Sequence, residues 1–98
     1  MQIEKTENGN EVTLKLGGCL DTAATPEFAA AIEGVGPAAE KLVLDMTGLE
    51  FIASSALRLL VATKKKRGAG FGVVLTGMND VVREVFDVTG LDAIFEVK

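Results

Sequence analysis

The chain has 98 residues, 48% hydrophobic and 24% charged, which fits one compact domain over residues 1–98 and is not the composition of a disordered chain. Its 14 acidic and 10 basic residues leave a net charge of −4, the wrong sign for a general nucleic-acid binder. Histidine is absent and cysteine occurs once, so no Ser-His-Asp or Cys-His pair, imidazole metal site or internal disulfide can form, and neither cofactor, metal nor catalysis is expected.

No apolar run approaches the roughly 20 residues of a membrane span, and "MQIEKTENGN" lacks the apolar core of a signal peptide. The cytoplasm, without membrane insertion, is the expected location. In chain order, "MQIEKTE" and "EVTLKLGG" flank "NGN". Val12, Leu14 and Leu16 alternate with Thr13 and Lys15, the period of a half-buried strand, and Asn-Gly predicts a hairpin. Thr25 followed by Pro26 reads as a helix start with threonine as the cap. Phe28 and Ile32 supply the apolar stripe of that helix, and "GVGP" breaks it. "KLVLDM", Lys41 to Met46, is a nearly continuous apolar run, the pattern of a central strand covered on both faces.

A second long helix begins near Ser54, with Leu57, Leu60 and Val61 at i, i+3 and i+4. It runs into "KKKRG", where cations complement the helix dipole and Gly68 ends the helix. "FGVVLTG" is a further strand. Asn79 caps the next helix, with Val82, Val85 and Phe86 inward, and Gly90 stops it with Leu91 folding back on Phe86. "AIFEV" is the candidate for a last strand. The order β-β-α-β-α-β-α-β predicts an α/β domain whose later strands run parallel through right-handed crossovers.

"GAGFG" follows a helix and opens a strand, the reverse of a dinucleotide loop, and so reads as a turn. Lys64 to Arg67 read as a solvated helix end, and Cys19 as a small apolar residue near the end of the second strand. Asp21 and Asp45 are either a carboxylate pair or caps at strand ends. Ser54 and Ser55 admit two roles. A serine oxygen can cap the helix. A phosphate in the first turn would face free N–H groups and the positive end of the dipole.

"GGCLDTAATPEF", "KLVLDMTGLEFIASSALRLL" and "VVREVFDVTGLDAIFEV" resemble, in order and spacing, the successive blocks of a STAS domain of the bacterial anti-sigma-factor antagonist type. The similarity runs from about Val12 to Val97. It implies a mixed four- to five-stranded sheet with helices mainly on one side. It also implies an antagonist that binds a protein acting as both anti-sigma factor and serine kinase. Phosphorylation of one serine ends that binding, and a serine phosphatase restores it. Aligned on Phe51, Ile52 and Leu57, the phosphoserine position falls on Ser54, with Ser55 as the weaker alternative. The family's loop acid falls on Asp21. The implied docking surface is the Asp21–Thr22 loop, Ser54, Ser55 and, on the exposed face of the helix, Arg58. Two positions depart from the antagonist pattern: Ala53 stands where aspartate is frequent, and Ala56 where glycine is usual. Other family members serve as unphosphorylated binding subunits of lipid ABC-type transport or signalling complexes, the alternative role.

Overall fold

The computed structural model describes residues 2–68 and 70–98. Among them, strands β1 (Gln2–Asn8), β2 (Glu11–Leu20), β3 (Lys41–Ile52), β4 (Gly72–Thr76) and β5 (Glu96–Val97) form one sheet in sequential order. Helices α1 (Thr25–Glu33), α2 (Ser54–Arg67) and α3 (Asp80–Thr89) connect the parallel strands, and a 3₁₀ turn, Leu91–Ala93, precedes β5. Only β1 runs antiparallel to its neighbour. None of the described helices is long and apolar enough to cross a membrane.

The hairpin forms, shifted by one residue from the Asn-Gly reading. Asn8 pairs with Glu11, so the turn centres on Gly9 and Asn10. Gly9 has φ +63° and no non-glycine residue among the described residues has positive φ, the sign pattern of a type II′ turn.

Because β2 to β5 follow one another in the sheet, right-handed crossovers place all three helices on the same face. Val12, Leu14 and Leu16 of β2, Leu42, Leu44 and Met46 of β3, and Val73 and Leu75 of β4 are buried there. Phe28 and Ile32 of α1, Leu57 and Leu60 of α2, and Val82 and Phe86 of α3 cover them. Each such side chain contributes about 1.5–3 kcal/mol of burial. The expectation that Lys41–Met46 is covered on both faces is corrected: Val43 and Asp45 are half-buried, because no crossover passes that side.

Three local readings are also corrected. Thr25 is not the cap of α1. Ala24 holds that position in αR conformation, and no side chain caps the helix. Cys19 lies in β2 but is exposed, paired with exposed Phe51 on the sheet's uncovered side. The basic end of α2 is only partly solvated. Arg67 donates to Gly36 O at 2.8 Å and Ala39 O at 3.3 Å and lies 4.4 Å over the Phe71 ring, while Lys64 donates to Phe71 O. At α3 the sequence reading holds: Asn79 accepts from Val82 N–H at 2.8 Å, and Gly90 closes the helix at φ +74°.

Gly77 has φ +71°, and a Cβ there would overlap Thr47 Oγ1 and sit 3.0 Å from Thr47 N. Gly9 also has positive φ, yet a Cβ there meets nothing within 4 Å. Gly9→Ala is therefore expected to cost about 1–3 kcal/mol of backbone strain, and Gly77→Ala clearly more. Equal losses in urea denaturation would contradict this packing.

Asp45 accepts from Thr47 Oγ1 at 2.7 Å and from Thr47 N–H at 3.0 Å. The Thr47 hydroxyl, then its backbone N–H and, more weakly, Lys15 hold the Asp45 carboxyl below its usual value, against the opposing effect of burial. A depressed folded pKa stabilises above the unfolded value of about 3.9 and is lost as pH falls through the folded value. The stability gap between the native protein and Asp45→Asn should therefore shrink as pH falls below about 4. An unchanged gap, read from urea midpoints across that range, would contradict the assignment.

Candidate functional site

The end of the sheet is shaped by how far β3 outruns β4. Pairing with β4 stops at Asp45 opposite Thr76, whereas pairing with β2 continues to Ile52 opposite Leu20. The sequence reading ended this strand at Met46. Two register shifts explain the difference: Lys15 faces Asp45, Gly17 faces Gly48 and Cys19 faces Phe51. β3 thus carries extra residues relative to β2, which breaks the alternation that marks a strand in sequence. At the first irregularity the backbones come close. A Cβ on Gly48 would lie 3.3 Å from Leu16 O and 3.4 Å from Gly17 Cα.

Ala53 N–H then donates to Leu20 O at 2.7 Å, so the chain leaves β2 as Asp21 and enters α2 as Ser54 side by side. The carboxyl ends of neighbouring parallel strands are a common place for function in α/β sheets. Asp21 is exposed, and its side chain folds back to accept from Ala24 N–H at 2.9 Å. Its carbonyl accepts from Thr25 N–H at 3.1 Å and from the Thr25 hydroxyl at 2.9 Å. Thr22 lies exposed in the same turn.

The Thr25 and Ser55 hydroxyls are 2.9 Å apart. Thr25 has one hydroxyl proton, and the Asp21 carbonyl can only accept, so that proton goes to Asp21. Ser55 must therefore donate to Thr25. The resulting relay runs from the Ser55 hydroxyl through Thr25 to the Asp21 backbone and joins the loop, α1 and α2. Thr25 was missed as a member of this site because Thr-Pro is so strong a helix-start signal. The available clue was Asp21 three residues before Ala24, the spacing of a side chain that closes its own turn.

Neither serine caps α2. The cap is Ala53, extended at φ −85° and ψ 157°, and no side chain bonds the first turn. Ser54 is the first helical residue, exposed, with its hydroxyl outside the hydrogen bonds of the described residues. Ser55 is half-buried and engaged as a donor. Arg58 is exposed and stands at i+4 from Ser54, on the same helix face. Asp21, Thr22, Ser54 and Ser55 thus share one end of the sheet, with Arg58 one turn along α2.

Asp45 does not join them. It pairs with Lys15, six residues before Asp21 on β2, a separation of about 20 Å along an extended strand. The carboxylate-pair reading is overturned by that spacing and by the bonds of Asp45 to Thr47. Cys19 Sγ lies 3.9 Å from Glu50 Oε2, with no histidine in the chain to activate it. No group of three His, Cys, Asp or Glu side chains among the described residues could hold a metal ion.

A family model described as "Mlab, STAS domain" matches residues 3–96. The anti-sigma-F factor antagonist RsfB of Mycobacterium tuberculosis is 36% identical over 97% of this chain and 79% of its own length. Among solved structures, an anti-sigma factor antagonist from Mycobacterium paratuberculosis matches with a TM-score of 0.85. That match covers 98% of this chain and 83% of that one, at 26% identity. The Bacillus cell fate determinant SpoIIAA, in its phosphorylated form, has the same fold, with a TM-score of 0.76 over 99% of this chain and 91% of that one, at 21% identity. With a family model spanning nearly the whole chain and a relative above one third identical, this chain belongs to the STAS-domain family.

Proposed function

We propose that this chain is a cytoplasmic anti-sigma-factor antagonist that works by partner switching and has no catalysis of its own. In the unmodified state it docks a protein that is both anti-sigma factor and serine kinase, through the Asp21–Thr22 loop, Ser54, Ser55 and Arg58. Phosphorylation of Ser54 ends the complex, and a serine phosphatase restores it. The observation that carries this reading is the state of Ser54: exposed in the first turn of α2, free of any capping role, beside a loop held in place through Thr25. A phosphate there adds roughly −1.5 to −2 charges to a docking surface while the helix dipole stabilises it locally. Ser55 is the weaker acceptor, since its hydroxyl is half-buried and donates to Thr25. RsfB, named as an antagonist, supports the general role.

A second reading is an unphosphorylated binding subunit of a lipid ABC-type transport or signalling complex. It is favoured by Ala53 and Ala56, which depart from the antagonist pattern at the positions flanking the serines. Neighbouring genes separate the two: a kinase and sigma factor for the first, a permease and ATPase for the second.

The test is affinity for the partner that co-purifies with the unmodified protein. Ser54→Asp should weaken binding at least tenfold, and Ser54→Ala should retain it. Equal binding by Ser54→Asp and the unmodified protein would overturn the switch.

A further inference from the structure

Helices α1 and α2 pack against each other, whereas α3 packs on β3. This leaves a groove of about 460 Å³ between α2 and the end of α3. Its α2 wall runs from Ser54 past Leu57 and Val61 to Lys65, about 16 Å of helix. Thr89 and Leu91 close the opposite side.

Helix α3 carries an apolar row of its own. Val81, Val85 and Val88 follow at i, i+4 and i+7, and Val81 is 56% and Val88 79% exposed. Arg83 and Asp87 line a separate cleft with Val97 of β5. At 100° per residue the valine stripe lies about 150° round the helix from that pair and about 70° from Thr89, which lines the groove. Val85 packs partly against the core, but Val81 and Val88 are too exposed to serve it and mark an interaction surface.

The charges decide what fits. Arg58 and Lys65 stand on the α2 wall seven residues apart, about 10.5 Å along the helix. Neither forms an ion pair among the described residues. A helix laid in the groove would present its own residues seven apart at the same spacing. One edge must be acidic to meet both cations, and a basic edge would be repelled.

We propose that this groove receives an acidic amphipathic helix of the partner, with apolar residues at i, i+4 and i+7 against Leu57, Val61 and Val88, and acidic residues seven apart facing Arg58 and Lys65. The inference rests on the docking role above and names the chemistry of the segment that docks. It also supplies a route for control. Ser54 lines the same groove, about 6 Å of helix from Arg58. A phosphate on Ser54 would engage Arg58 and repel the acidic edge.

The probes are two synthetic helical peptides sharing one leucine spine, one with glutamates seven residues apart and one with lysines there. Titrated into the full chain at 50 mM salt, the glutamate peptide should bind at least tenfold more tightly than the lysine peptide. Amide shift changes should centre on Val61, Val88 and Leu91. Arg58→Glu combined with Lys65→Glu should reverse the preference. Val88→Asp should weaken binding at least fivefold without moving the thermal midpoint, since its side chain is exposed. No binding, equal binding, shifts confined to another face, or self-association of the chain through this groove would each overturn the proposal. Ser54→Asp is titrated in parallel. If the charge preference holds and Ser54→Asp leaves it unchanged, the groove stands and the phosphate switch falls. If the groove variants leave partner binding intact while Ser54→Asp abolishes it, the switch stands and the groove falls.

Discussion

Beyond Asp45, β3 loses β4 as a neighbour and keeps only β2, and that one-sided pairing positions everything at this end of the molecule. Had the pairing stopped together on both sides, Asp21 and Ser54 would have left the sheet at different heights. Instead the β2 ladder persists through two irregularities, Gly17 and Gly48 permit the close backbone approach, and the Leu20–Ala53 bond ties the exits together. The bulged strand thus delivers a loop and a helix start as neighbours, a known use of such irregularities. On its other side the exposed edge of β3 is met by the α3 entrance: Thr47 packs against Gly77, and Asn79 donates to Leu49 O at 3.1 Å.

The two adjacent serines are chemically distinct because of this placement. Ser55 is drawn under α1 by the Thr25 hydroxyl, a bond with a net contribution of about 0.5–1.5 kcal/mol. Ser54, one residue earlier and 100° round the helix, is left to solvent. Alanine at the cap has the same sense. An aspartate or serine there would have bonded the first-turn N–H groups, and Ala53 leaves them to water or to an incoming anion.

Much of the fold was legible because local and global signals agree. Alternation in Val12–Leu16, the cap at Asn79 and the stop at Gly90 each name an element without tertiary context. What was not legible depended on contacts across the fold. The stretch Thr47–Ile52 has no clean period because extra residues are absorbed into bulges. Thr25 looks like a cap in isolation, but the turn closed by Asp21 moves the helix start back and frees its hydroxyl for Ser55. Arg67 reads as a solvent cation until the Gly36–Ala39 turn and the Phe71 ring arrive from elsewhere in the chain. The pairing of Asp21 with the serines came from family resemblance, and its geometric basis, the Leu20–Ile52 register, is invisible in any single segment.

The central claim is that the exposed, uncapping Ser54 is where this protein is switched. Phosphopeptide mapping of the protein isolated from its native cells, in growth and under stress, tests that most directly. The account predicts phosphate on Ser54, with occupancy that changes between conditions, and little or none on Ser55. Phosphate on Ser55 alone, or an unmodified Ser54 in every condition, would contradict it.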